Sequence, residues 1–136
     1  MLGIVAKSVA PALEQVSLPH FRVLVLLDAS GPARVGILAE RLGAVVSTFS
    51  RSLDRLEAGG WILRSQSTED RREVTVSITD AGHRLVTTVS AQRSAALTAA
   101  LEEIPEGDRA VLNRAFEAFA DAAGEPTVTE LLVLGI

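Results

Sequence analysis

The chain has 136 residues, 48% of them hydrophobic, with 13 basic against 17 acidic side chains and a formal net charge of −4. That length and apolar content suit one domain with a continuous core, and the absence of cysteine excludes disulfide staples and thiol redox sensing. Apolar runs of about ten residues fall short of the ~20 that a membrane span needs, and the N-terminus lacks the basic region of a signal peptide, so the expectation is a soluble cytoplasmic protein with no membrane partner.

Leu2, Val5, Val9, Ala12 and Val16 follow helical spacing. Pro11 in their midst predicts either a kink or a regular helix that starts at Pro11. In "LPHFRVLVLLDASGP" the residues Leu18, Phe21, Leu24 and Val25 share one face, Ser17 stands as a cap and "SGP" as a stop, which predicts a second, largely buried helix. From Arg34, the spacing of Val35, Leu38, Ala39 and Leu42 predicts a short third helix closed by Gly43. Val46, Phe49, Leu53 and Leu56 open another stripe that runs to Gly59 and Gly60. Two short helices joined by a Gly-containing turn have the spacing of a helix-turn-helix.

"WILRSQS" is apolar at its start and polar at its end, as a strand leaving a core would be. "VTVSIT" alternates fully, with Val74, Val76 and Ile78 on one side and Thr75, Ser77 and Thr79 on the other. The two runs predict a β-hairpin whose tip carries "STEDRRE". Thr79 or Asp80 then caps a long helix bearing Val86, Val89, Leu97, Ala100 and Ile104. At 1.5 Å per residue it runs about 36 Å, longer than a small domain's own core requires. "IPEGDRAV" breaks it and begins a last helix, with Leu112, Phe116 and Phe119 as its stripe and "GEP" as its end. The tail "TVTELLVLGI" is too apolar to stand in water, which points to a partner chain.

The acidic balance argues at first against nucleic acid, because neutralising phosphates takes clustered Lys and Arg. The distribution weakens the objection: from Arg34 to Arg84 there are eight arginines and seven acids, against five basic residues and ten acids elsewhere. Any DNA contact must come from a few placed arginines rather than from a broad field.

The motifs "LPHFRVLVLL", "LAERLG…STFSRSLDRLEAGGWILR" and "DRREVTVSITDAG", in this order and spacing, resemble the multiple antibiotic resistance regulator (MarR) family over about residues 18–122. The resemblance implies a mainly α fold with a small β-hairpin wing (α+β): a winged helix-turn-helix with long N- and C-terminal dimerisation helices. It implies a single domain over 1–136, with a DNA-binding lobe at 18–80 and a dimerisation region at 1–17 and 81–136. The function implied is that of a homodimeric transcriptional regulator, a repressor, reading a pseudo-palindromic operator in double-stranded DNA. A small aromatic or anionic effector between dimer helices and lobes belongs to the same picture.

By that likeness the helix from Val46 to Ala58 enters the major groove, with Ser47, Thr48, Ser50, Arg51 and Arg55 as its DNA-binding residues. Helical spacing places Ser47, Arg51, Asp54 and Arg55 opposite Phe49 and Leu53, with Thr48 at the edge. Small hydroxyls allow close approach, and Arg51 has the fork that pairs bidentately with guanine. Arg55 reaches phosphate or pairs with an acid, since Asp54 and Glu57 on the same half repel the backbone. A solvated face laced with intrahelical ion pairs is the plainer reading of the same residues. In the wing, Asp70, Arg71 and Arg72 match the family's D-x-R pattern; Arg72 is then the minor-groove residue and Asp70 steadies an arginine. Arg34 is either a phosphate contact or a plain surface arginine. The sequence departs from the family at Val45 and Val46, where a capping residue and a polar one are usual, so the recognition helix loses a side-chain cap worth about 1 kcal/mol unless Ser47 or a neighbour caps instead.

His20 and His83 lie on separate segments with no cysteine near them, so metal-ligand spacing is absent and no cofactor is expected. No nucleophile elbow or phosphate loop appears, which argues against an enzyme. Trp61 reads as core or as the wall of a ligand pocket. The alternative function is a winged-helix interaction module that has lost specific DNA binding, consistent with the acidic balance and the apolar Val45–Val46 start.

Overall fold

A computed structural model describes residues 2–66 and 73–124. The elements run α1 (Leu2–Leu13), α2 (Leu18–Ser30), β1 (Ala33–Arg34), α3 (Val35–Arg41), α4 (Val46–Ala58), β2 (Ile62–Gln66), β3 (Val74–Ile78), α5 (Asp80–Glu102) and α6 (Glu106–Ala123). The mainly α fold with a small wing is therefore the observed one. The tail "TVTELLVLGI" and the wing-tip residues Asp70, Arg71 and Arg72 lie outside the described residues.

The core gathers α2, α3, α4 and the sheet: Leu24, Leu27, Leu38, Leu53, Leu56, Ile62 and Val76 are almost fully buried. Ser17 caps α2 by accepting a hydrogen bond from the His20 N–H. Both helices of the helix-turn-helix end in the same device. After α3, Gly43 at φ 63° lets its N–H reach the Glu40 carbonyl (3.1 Å) and the Ala44 N–H the Ala39 carbonyl (2.8 Å). After α4, Gly60 at φ 75° does the same, its N–H on the Glu57 carbonyl and the Trp61 N–H on the Leu56 carbonyl, each at 2.9 Å. This pair of hydrogen bonds satisfies the orphan carbonyls and turns the chain sharply, and a left-handed residue without Cβ is what it requires.

Among the described residues the sheet has three strands in the order β1-β3-β2, all antiparallel. The hairpin register runs from Ile62 opposite Ile78 to Gln66 opposite Val74. The third strand corrects the expectation of two: Ala33 and Arg34 pair with Val76 and Thr75. A two-residue strand carries no alternation to read, and its pairing with β3 alone defines it.

Thr79 ties the wing root to α5. Its Oγ1 donates toward the carbonyls of Gly60 (2.7 Å) and Trp61 (3.1 Å) and accepts from the Gly82 N–H (3.2 Å). At the other end of the chain, α1 extends from Leu2 to Leu13 with Pro11 inside it, so the reading that begins its helix at Pro11 is wrong. Packing against α5 offsets the proline: Ala12 is fully buried, and Ser8, also buried, accepts from Arg93 Nε at 3.3 Å.

Two predicted stripes are only partly covered. On α5, Leu85, Val86 and Val89 are buried, while Leu97 is half-exposed and Ala100 exposed. On α6 no residue is buried, and Phe119 stands 69% exposed.

Candidate nucleic-acid interface

Helix α4 owes its orientation to Phe49, Leu53 and Leu56, which are buried. Val46 does not continue that stripe as the sequence suggested; it is exposed, as is Val45 at 71%. Val45 is the N-cap and offers no side-chain hydrogen bond, in line with the missing cap.

Anchoring by that stripe leaves Ser47, Thr48, Arg51 and Arg55 exposed, with Ser50 half-buried. The expected mixed-charge face resolves into two flanks. On one, Ser50, Asp54 and Glu57 face β2 and are taken by Arg64. Its guanidinium Nη2 donates to the Ser50 carbonyl (3.0 Å) and to Asp54 Oδ1 (2.7 Å), while its backbone N–H donates to Glu57 Oε1 (3.2 Å). Glu57 Oε2 stands 3.6 Å from Arg64 Nε, a buried group without a hydrogen bond among the described residues. On the other flank, Thr48, Arg51 and Arg55 remain open.

This arrangement corrects the plainer reading of a face laced with intrahelical ion pairs. Among the described residues no ion pair lies within α4, and its two acids are satisfied from β2. Arg64 is the site residue that sequence reasoning missed; its signal was a lone arginine in an otherwise apolar strand start, "WILR". On the open flank, partial burial and then the Arg55 charge hold the His20 pKa below the ordinary histidine value. His20 thus sits beside α4 in surroundings that favour its neutral form.

Arg34, on the edge strand, forms an ion pair with Glu73 at the base of the wing (2.8 Å). Its guanidinium is still largely exposed, so a phosphate would compete with Glu73 for it. His83 pairs with Asp28, joining α5 to the end of α2. Trp61 packs on the core, one of its two expected places, and also borders a cavity of about 320 Å³ with Pro11, Gln15 and Arg84. A larger cavity of about 570 Å³ lies between α1, α2, α3 and α5, its wall apolar through Val9, Phe21 and Val25. Arg22, Arg41 and Arg93 border it, a convergence from three elements that no local motif announces. Among the described residues no helix is long and apolar enough to cross a membrane, and no cluster of three His, Asp or Glu offers a metal site.

Comparison with known proteins adds to this geometry. The MarR family model matches residues 16–74. The chain is similar to the uncharacterized HTH-type transcriptional regulator YfiV of Bacillus subtilis (strain 168), 45% identical over 65 residues, which are 48% of this chain and 41% of YfiV. It is also similar to the HTH-type transcriptional repressor MdtR of the same organism, at 34% identity over 62% of this chain and 54% of MdtR. The matched stretch thus spans about half the length of these curated relatives. Among solved structures, RV1404 from Mycobacterium tuberculosis superposes with a TM-score of 0.82 at 34% identity, covering 91% of this chain and 85% of that one. With a helix-turn-helix, a wing and an open arginine flank in place, the chain belongs to the MarR family of winged helix-turn-helix transcriptional regulators.

Proposed function

We propose that the protein is a homodimeric, sequence-specific DNA-binding repressor that a small ligand releases. The observation that carries the reading is the open flank of α4, where Ser47, Thr48, Arg51 and Arg55 project opposite the buried stripe. Arg51 reads a guanine edge, Arg55 and Arg34 meet phosphate, and at the wing tip Arg72, with Asp70 and Arg71, enters the flanking minor groove. The lobe of 18–80 then docks while 1–17 and 81–136 join two copies. Uncovered Val111, Phe116 and Phe119 on α6 support that joining, since a monomer would leave them in water. Two lobes held so would meet half-sites about one DNA turn apart.

The cavity bordered by Arg22, Arg41 and Arg93 suits an aromatic or anionic effector. Such a ligand acts through its unequal affinity for two lobe spacings, a coupling of about 1–3 kcal/mol.

Purified protein mixed with fragments of the source genome should retain a discrete set containing a pseudo-palindrome. Arg51→Ala should then relax specificity at one base position, and Arg72→Ala should weaken binding mainly at AT-rich flanks. If neither substitution alters retention, the residue assignment fails. Exposed Val45 and Val46 favour a second reading, docking of a protein partner. Salt separates the two: operator affinity falls steeply with salt through phosphate contacts, whereas apolar docking changes little.

A further inference from the structure

Arg64 lies on β2, the strand that leads into the wing, yet its side chain is only 20% exposed and turned toward α4. It spans two turns of that helix, from the Ser50 carbonyl through Asp54 to Glu57. Without it, the groove-facing helix would carry two uncompensated carboxylates beside the phosphate backbone. An arginine suits the position because its planar fork serves a carbonyl and a carboxylate together.

We propose that Arg64 is a positioning residue for DNA binding, acting through Asp54 and Glu57 rather than on the nucleic acid. It cancels the acidic flank of the recognition helix, so that Arg51 and Arg55 set the sign of the surface offered to DNA. This assignment rests on the DNA-binding reading above.

The test measures binding of a fluorescent duplex, selected by the wild-type protein from a random pool, across a salt series. Arg64→Gln should weaken binding by about tenfold or more, because like charges juxtaposed across an interface oppose association and these carboxylates are only partly screened by solvent. The triple variant Arg64→Gln, Asp54→Asn, Glu57→Gln should recover to within about threefold of wild type with an unchanged salt slope, as expected when the removed charges act on one another. Arg64→Gln binding like wild type, or a triple variant no better than the single one, overturns the assignment. So does a salt slope lower by about one phosphate in Arg64→Gln, the mark of a direct contact. If Arg64→Gln does not fold by circular dichroism, Asp54→Asn with Glu57→Gln on an intact Arg64 decides: binding at least as tight as wild type supports the role, and weaker binding overturns it. A wild-type protein that selects no duplex overturns the underlying DNA-binding reading, and the assignment with it.

Discussion

Replacing Gly82 by alanine sets two effects against each other. Gly82 lies in the first turn of α5 and is buried. Helix propensity alone favours alanine there by about 1 kcal/mol. A Cβ at this position would stand 2.6 Å from the Trp61 carbonyl oxygen and 2.7 Å from Ile78 Cγ1. The Trp61 oxygen is backbone and cannot swing aside, because it accepts from the Thr79 N–H at 3.1 Å. Forcing it away costs about 1–3 kcal/mol of overpacking and most of a hydrogen bond, about 1 kcal/mol more. Subtracting the propensity gain leaves Gly82→Ala less stable by about 1–3 kcal/mol. Urea unfolding at one fixed protein concentration, followed by helical circular dichroism, measures it, since any dimer makes the midpoint concentration-dependent. Gly107→Ala is the control: a Cβ there meets nothing within 4 Å, so propensity acts unopposed and the variant should gain up to about 1 kcal/mol. A Gly82→Ala protein as stable as wild type, beside a Gly107→Ala protein that behaves as expected, would refute the packing argument at the wing root.

Thr79→Ala removes the cap on the Gly82 N–H and the tie to the Gly60 carbonyl; a loss of about 1–2 kcal/mol is expected, with Thr79→Ser keeping most of it, read from thermal melts. Val45→Asn supplies the side-chain acceptor that α4 lacks and should raise stability by about 1 kcal/mol; an unchanged denaturation midpoint would show that the free N–H groups are already served. His20 contributes a pH dependence of definite sign. Its folded pKa lies below the unfolded value of 6.5, through burial and then Arg55. The unfolded chain therefore binds more protons as pH falls below that value, and stability is lost as pH drops from there through the folded pKa. Above it the contribution is constant. His20→Gln should flatten stability against pH in that window, and an unaltered curve would mean that the ring is not the group responsible.

Local chemistry was legible in the sequence. Apolar spacing located α2 to α6 and the hairpin strands, Ser17 announced its cap, Thr79 or Asp80 that of α5, Gly43 and Gly60 their turns, and Val45 its missing one. Each of those signals acts within about one helical turn, where backbone hydrogen bonding is decided. The solvent-turned face of α4 followed as well, because the buried stripe fixes which residues face away.

The tertiary structure decided what depends on contacts between distant positions. Ala33–Arg34 became a strand only by meeting β3. Asp54 and Glu57 changed from groove-facing repulsion to partners of Arg64, seven to ten residues further along. Arg22, Arg41 and Arg93 gathered around one cavity from three separate elements. A charge's effect depends on distance in space, and the packing of helix on strand sets that distance rather than the spacing along the chain.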